Sequence, residues 1–272
     1  MNIIIGNKQI SELSPVYIIA EIGVNHNGSI DQAKRLIDAA ILTGADAVKF
    51  QMFRTESLVS EEAPLASYQK TSGINNQKEM LERLELSRDE FVILKKYCDD
   101  ANITFLSTPF DESSAYELNE LNVPAFKIGS GDLTNFPLLT QVNRFNKPII
   151  LSTGMSTIQE IKAALRVIDT NPHVVLMHCT SAYPAHFQDL HLNVIRTFKL
   201  MFNTIIGYSD HSLGIEVPIA TVAMGYKVIE KHFTLDKFAE GPDHKTSLTP
   251  DEFNQMVKSI RYVEKALGST YK

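Results

Sequence analysis

KPIILSTGMSTIQEIKAALRV, residues 147–167, contains the repeating unit of the fold. Ile149-Ile150-Leu151 is a short β-branched apolar run without polar alternation. Such a run fits a strand covered on both faces, as in a parallel sheet flanked by helices. The run ends in the polar turn Ser152-Thr153-Gly154. Ser156 or Thr157 then caps a predicted helix over Ile158–Val167, with Glu160 early in the first turn. Seven further runs read as strands beside 148–152: 15–20, 46–52, 103–108, 125–129, 174–179, 204–208 and 227–233. Helical spacing recurs between them, as in Ala33, Leu36, Ile37, Ala40 and Ile41. Pro250, Asp251 and Glu252 open a last helix through Val257, Ile260 and Val263, with Gly268 as its stop. Eight strand–helix pairs with right-handed crossovers close into a barrel or extend into an open doubly wound sheet. The count of eight favours an α/β fold of the (β/α)8 TIM-barrel type with a short N-terminal extension. Met1–Ile10 is that extension, expected as a hairpin over the barrel's bottom. Residues 54–86 form a long second βα connection with its own helical pattern (Met80, Leu81, Leu84), a length typical of functional lids.

The bulk properties fit one barrel domain spanning 1–272. The 272 residues carry a formal charge of −6, with 44% hydrophobic and 21% charged residues, and these are ordinary globular values. At 30.4 kDa the chain sits just above the roughly 250 residues of such a barrel. Two cysteines, Cys98 and Cys179, exclude a disulfide scaffold and suit a reducing, cytoplasmic compartment. No basic-plus-apolar leader follows Met1, and no apolar stretch approaches the roughly 20 residues of a membrane helix. The mild acidity argues against nucleic acid as a partner.

In a barrel of this class the chemistry lies at the C-terminal ends of the strands. Strand one ends in Glu21, before Gly23-Val24-Asn25-His26-Asn27-Gly28. The second carries Lys49 and Gln51, and the third ends Ser107-Thr108-Pro109-Phe110-Asp111. The fourth gives Lys127 and Gly129-Ser130-Gly131-Asp132, the fifth Ser152-Thr153-Gly154. The sixth gives His178, Thr180, Ser181 and Tyr183, the seventh Ser209-Asp210-His211-Ser212. The eighth gives Glu230, Lys231 and His232, then Glu240 to Lys245. A purely structural core avoids this, because buried unpaired charge is costly. Lys49 and Lys127 with the serines, threonines and glycine turns read as an anion cradle. A buried ion pair with Glu21 or Glu230 is the structural alternative. His211 and His232 fall near the ends of neighbouring strands, where two imidazoles can share one divalent metal and leave positions open. One core histidine and one surface histidine is the plainer reading of the same spacing. His26, His178 and His244 are further candidates; His173, His186 and His191 read as loop residues. Cys179 reads as a buried thiol rather than a nucleophile.

Eight stretches carry a resemblance: AEIGVNHNG (20–28), GADAVKFQ (44–51), FLSTPFD (105–111), FKIGSGD (126–132), KPIILSTGM (147–155), HCTSAYP (178–184), GYSDHSLGIE (207–216) and VIEKHFTLDKFAEGPDHKTSLTPDEF (228–253). Together the chain resembles the sialic acid synthase family, the N-acetylneuraminate and legionaminate synthases, along essentially its whole length. The resemblance implies a transferase of carbohydrate biosynthesis. It would condense phosphoenolpyruvate with an N-acetylated hexosamine, such as N-acetylmannosamine or a relative. A nine-carbon 2-keto acid forms and phosphate leaves by C–O cleavage. It implies a divalent metal, Mn2+ or Mg2+, held by His211 and His232, which would polarise the aldehyde. It implies Lys49, Thr108, Lys127, Ser130, Ser152 and Ser209 as phosphoenolpyruvate contacts. Glu21 matches the acid/base carboxylate, Gln51 a polar group near the reacting centre, and Tyr183 and Asp243 sugar contacts. Asp132 stands where family members carry Glu, one methylene longer.

The resemblance further implies a homodimer, in which a C-terminal antifreeze-like domain of one subunit covers the other's active site. This chain ends at Lys272, about where the linker to that domain would begin. The expectation is therefore a catalytic barrel alone. Phosphoenolpyruvate and metal binding should persist in it, with sugar affinity and turnover weakened. Two competing readings are a Schiff-base aldolase using Lys49, Lys127 or Lys231, and a non-catalytic barrel that binds sugar phosphate and needs a separate partner domain.

Overall fold

Eight parallel strands alternate with helices and carry every candidate residue at or just beyond one end. The computed structural model describes residues 1–61, 63–65, 76–169, 171 and 173–269. Residues 62 and 66–75 of the expected long connection, and Lys272, lie outside the described residues. The chain starts with an antiparallel hairpin, β1 (Asn2–Ile5) and β2 (Lys8–Ser11). The barrel follows: β3 (Tyr17–Gly23), α1 (Ile30–Thr43), β4 (Ala47–Met52), α2 (Thr55–Leu58), α3 (Gln77–Leu84), α4 (Arg88–Asp100), β5 (Thr104–Pro109) and α5 (Glu112–Glu120). It continues through β6 (Phe126–Ile128), α6 (Phe136–Arg144), β7 (Ile149–Ser152), α7 (Ile158–Val167), β8 (Val174–Cys179) and α8 (Val194–Met201). It ends with β9 (Ile205–Asp210), α9 (Glu216–Met224), β10 (Val228–His232) and α10 (Pro250–Leu267). The sheet order is β5-β4-β3-β10-β9-β8-β7-β6, and the end strands β5 and β6 pack side by side to close it. This is the expected (β/α)8 TIM barrel. Strand limits shift by one to three residues, chiefly at the polar ends, where β3 and β9 run on to Gly23 and Asp210.

The helices start where the side chains dictate. Thr157 and Glu160 form a capping box at α7, as do Ser87 and Glu90 at α4 and Thr249 and Glu252 at α10. These contacts satisfy backbone donors that a helix start leaves open, each cap being worth about 1 kcal/mol. Ser29 caps α1, and Gly44 ends it in the left-handed region at φ 83°.

The core has two apolar layers. One lies between sheet and helices, from Val16 through Ile260. The other fills the barrel's lower interior with Tyr17, Ile19, Ala47, Leu106, Ala125, Ile150, Val175, Met177, Ile205 and Val228. Ile3, Ile5 and Ile10 of the hairpin belong to this inner cluster, so the N-terminal extension plugs the bottom as expected. Gly207 makes room there: a Cβ would stand 2.2 Å from the Met177 sulfur. Strand side chains alternate in direction. The inward set that is apolar below therefore continues upward as Glu21, Lys49, Gln51, Thr108, Lys127, Ser152, Cys179, Ser209, Glu230 and His232. Polarity thus increases along the barrel axis toward the C-terminal mouth.

Candidate active site

At the centre of the mouth is a buried chain of charges. Lys49 Nζ lies 2.8 Å from Glu21 Oε2 and 3.8 Å from Glu230 Oε1, and Lys127 Nζ lies 3.6 Å from Glu230 Oε1. Strand register makes these meetings inevitable, since Lys49 pairs with Glu21 across β3 and β4, and Glu230 with Ser209 across β9 and β10. Hydroxyls surround the cations. Lys49 donates to Thr108 Oγ1 at 3.1 Å, Lys127 to Ser152 Oγ at 2.8 Å, and Ser209 to Glu230 Oε1 at 3.0 Å. Gln51 Nε2 donates to Glu21 Oε1 at 3.0 Å. The second oxygen of Glu230 is buried without a hydrogen-bond partner.

Burial sets the protonation tendencies, and neighbouring charge then sorts them. Burial works against the charged form of Lys49, but Glu21 and Glu230 outweigh it and raise its pKa. Lys127 is lowered, because burial exceeds the help of Glu230. Burial opposes ionisation of Glu230, yet Lys127 and Lys49 pull it down to about 2. Glu21 is raised, first by burial, with Lys49 opposing and Glu230 reinforcing. Asp243 is pushed up to about 7 by burial and the nearby Glu21. The mouth thus holds carboxyls of unlike proton affinity side by side, an arrangement suited to moving a proton.

Beside the cradle, Ser130 Oγ accepts from the Gly154 N–H at 3.0 Å and lies 3.1 Å from Cys179 Sγ. A Cβ at Gly154 would stand 2.7 Å from Ser181 Oγ and 2.8 Å from Cys179 Sγ. Only glycine lets the β7 and β8 ends approach this closely around the hydroxyl. Both cysteines are free and buried.

His211 and His232 face one another with ring centroids 5.6 Å apart. His211 Nδ1 lies 2.7 Å from the Thr180 carbonyl oxygen, so Nδ1 carries the proton and Nε2 keeps its lone pair. That Nε2 lies 3.2 Å from the Tyr183 hydroxyl. His232 Nδ1 is buried without a hydrogen-bond partner, 3.7 Å from Asp243 Oδ2. Burial keeps both rings neutral by lowering their pKa values, and for His232 the neighbouring His211 adds to this. Neutral imidazoles, one oriented through its other nitrogen, are what a divalent metal requires. Among the described residues no cluster of three or more His, Cys, Asp or Glu side chains forms a cage. The donor set therefore fits a metal that also takes water or substrate oxygens.

The remaining candidates separate from the mouth. His178 Nε2 meets the Leu190 carbonyl at 2.7 Å and packs on Phe198 and Tyr208, outside the barrel wall. His244 bonds Thr234 at 2.7 Å, and His26 Nδ1 accepts from the Gly28 N–H at 3.1 Å. Lys231 faces outward from β10 and pairs with Asp210 at 2.5 Å, fully buried, while also donating to the Ser212 carbonyl. Asp132 sits on the rim in a 3-10 turn with Asn135 at 3.2 Å. Tyr183, His232, Gln51 and Asp243 instead line a cavity of about 420 Å³ that opens off the mouth. Glu230 carries more of the site's electrostatics than its sequence setting suggested. The available signal was parity: positions 228, 230 and 232 share one side of a strand.

The family model described as the NeuB family matches residues 36–272. The chain belongs to the NeuB family. It is 49% identical to an uncharacterized protein of Methanocaldococcus jannaschii over 97% of this chain and 76% of that protein. It is 46% identical to the N,N'-diacetyllegionaminic acid synthase of Campylobacter jejuni, covering 94% of this chain and 78% of that one. The fold superposes with a TM-score of 0.90 on the crystal structure of an N-acetylneuraminic acid (sialic acid) synthetase from Leptospira borgpetersenii in complex with citrate. That match has 35% identity and covers 100% of this chain and 91% of that chain. Membership in the NeuB family makes this chain an enzyme of the sialic and legionaminic acid synthase type. Among the described residues no helix is long and apolar enough to cross a membrane.

Proposed function

We propose that the mouth binds phosphoenolpyruvate and condenses it with an N-acetylated hexosamine, giving a nine-carbon 2-keto acid and free phosphate. The observation that carries this reading is the convergence of Lys49, Lys127, Thr108, Ser152, Ser209 and Ser130 beside the His211–His232 pair. Two ammonium groups and several hydroxyls match a small ligand bearing both carboxylate and phosphate. In the condensation, C3 of phosphoenolpyruvate bonds to the acceptor's aldehyde carbon. Water bonds to C2, and the C2–O bond to phosphate then breaks as the ketone forms. Glu21, raised by burial and held by Lys49 and Gln51, takes the proton of the attacking water or supplies one to the new alkoxide. Lys49 and Lys127 hold the anion and fix C3 toward the acceptor, which removes much of the entropic barrier. Tyr183 and Asp243 orient the sugar from the cavity, and Asp132 approaches it from the rim. His211 and His232 would hold a divalent ion, Mn2+ or Mg2+, which supplies Lewis-acid polarisation of the aldehyde when bound.

The proposed assembly is a cytoplasmic homodimer, a reading supported by the sequence resemblance and by two unpaired cysteines. A lysine Schiff base is the competing chemistry. The outward-facing Lys231 is spent on Asp210, which leaves Lys49 and Lys127. Borohydride reduction in the presence of substrate separates the two readings. The condensation predicts no trapped lysine adduct, together with inhibition by EDTA that Mn2+ reverses. A trapped adduct and indifference to EDTA would overturn it.

A further inference from the structure

Cys179 stands among the inward-facing residues of the mouth, and the condensation gives it no part. Val175 and Met177 below it belong to the inner apolar layer, and the same parity turns the thiol into the barrel. It is 4% exposed. Its sulfur lies 3.1 Å from Ser130 Oγ, and either atom can donate. The same Oγ accepts from the Gly154 N–H at 3.0 Å. The approach is close, because a Cβ at Gly154 would stand 2.8 Å from the sulfur. Gly154 follows two residues after Ser152, whose Oγ accepts from Lys127 Nζ at 2.8 Å. The Lys127 ammonium is 3.6 Å from Glu230, long for a charge-assisted bond, and burial lowers its pKa. This end of the cradle is short of negative charge, which a bound anion supplies.

A serine hydroxyl has one proton to give and two lone pairs to fill. The Gly154 N–H fills one lone pair of Ser130. If Ser130 gives its proton to the sulfur, nothing is left to donate to a ligand. If the thiol donates instead, both lone pairs are taken and the hydroxyl proton is free for a third group. An anionic oxygen is a far stronger acceptor than a thiol sulfur, so a bound anion selects the second arrangement. We propose that Cys179 is a positioning residue: its S–H and the Gly154 N–H together hold Ser130 Oγ so that the hydroxyl donates to an anionic oxygen of phosphoenolpyruvate. The proposal rests on the synthase reading above and adds a residue to that same site.

The test is a double-mutant cycle on phosphoenolpyruvate affinity, measured by titration calorimetry on the full chain with Mn2+ and without acceptor. Ser130→Ala is expected to weaken binding about 10-fold or more, the loss of a hydrogen bond to a charged group, and Cys179→Ala about 5-fold. The double variant is expected to bind no more weakly than Ser130→Ala, because the thiol acts only through that hydroxyl. Cys179→Ser keeps a donor and is expected to recover most of the affinity that Cys179→Ala loses. Losses that multiply in the double variant, or a Cys179→Ser as weak as Cys179→Ala, overturn the proposal. Mn2+ affinity reports on the strand end itself, since the carbonyl of the next residue, Thr180, holds His211. It is expected to be unchanged in every variant, and a parallel loss in Cys179→Ala would make the thiol merely structural and overturn the proposal. Phosphate release by the wild-type chain with N-acetylmannosamine tests the synthase reading separately. Binding without release overturns that reading, and the cycle still decides the role of Cys179. A wild-type chain that binds no phosphoenolpyruvate overturns both.

Discussion

Lys49 Nζ lies 2.8 Å from Glu21 Oε2, both side chains buried, on adjacent strands at paired register positions. The lysine can therefore serve the anion cradle while also holding the carboxylate that handles a proton. Glu21→Gln keeps the shape of the side chain and one acceptor oxygen, and removes its charge and its proton chemistry. The expected result is a fall in kcat of about 100-fold or more, with the KM for phosphoenolpyruvate little changed. Steady-state kinetics with phosphoenolpyruvate varied at saturating acceptor checks this, and near-normal turnover would refute the role.

The two imidazoles make a sharper prediction about metal. His211→Ala and His232→Ala should each weaken Mn2+ binding measured by titration calorimetry, and abolish metal-dependent phosphate release. Phosphoenolpyruvate binding at the lysines should persist in part. Wild-type rates in either variant at excess Mn2+ would show that the ligand assignment is wrong.

Lys231 and Asp210 are expected to act through stability. Their pair at 2.5 Å, with Ser212 also bonded to Asp210, fixes the segment that presents His211. Lys231→Met leaves a buried carboxylate without its cation, and breaking such a pair costs about 3–5 kcal/mol. Urea unfolding reads the loss, and adding Asp210→Leu should recover part of it. A loss under about 1 kcal/mol, the range of an exposed ion pair, would contradict the account.

His26 predicts a pH dependence of stability. Burial lowers its pKa from 6.5 to about 4, and its Nδ1 accepts from the Gly28 N–H, which only the deprotonated nitrogen can do. Between those values the unfolded chain binds a proton that the folded chain refuses. Stability from this group is therefore complete above about pH 6.5 and declines as pH falls toward 4, by about 3 kcal/mol at most. Unfolding free energies measured across this window should fall with a slope that His26→Gln flattens. An identical slope in the variant would dismiss His26 as the cause.

The barrel was legible because its unit repeats. Apolar runs such as Ile149-Ile150-Leu151 end in polar turns, and Thr157 with Glu160 starts the next helix. The cradle was legible for the same reason, since lysines inside strands are costly without a ligand or partner. Facing was harder to read. Lys231 and His178 sit in strands beside true mouth residues, but one step of parity turns them outward onto Asp210 and Leu190. The α3 stripe was readable as a helix, but its target was not. Which strand end it covers depends on long-range packing that periodicity does not encode. Glu230 looked like a structural partner for a lysine, and only the register shows it placed between two of them.

The most direct measurement of the central claim is phosphate release from phosphoenolpyruvate labelled with 18O in the C2–O–P bridge. The reaction contains Mn2+ and either N-acetylmannosamine or its 6-deoxy counterpart. The account predicts release only when acceptor and metal are both present, with the label found in phosphate and a nine-carbon 2-keto acid formed. Release without acceptor, or label retained in the organic product, would contradict it.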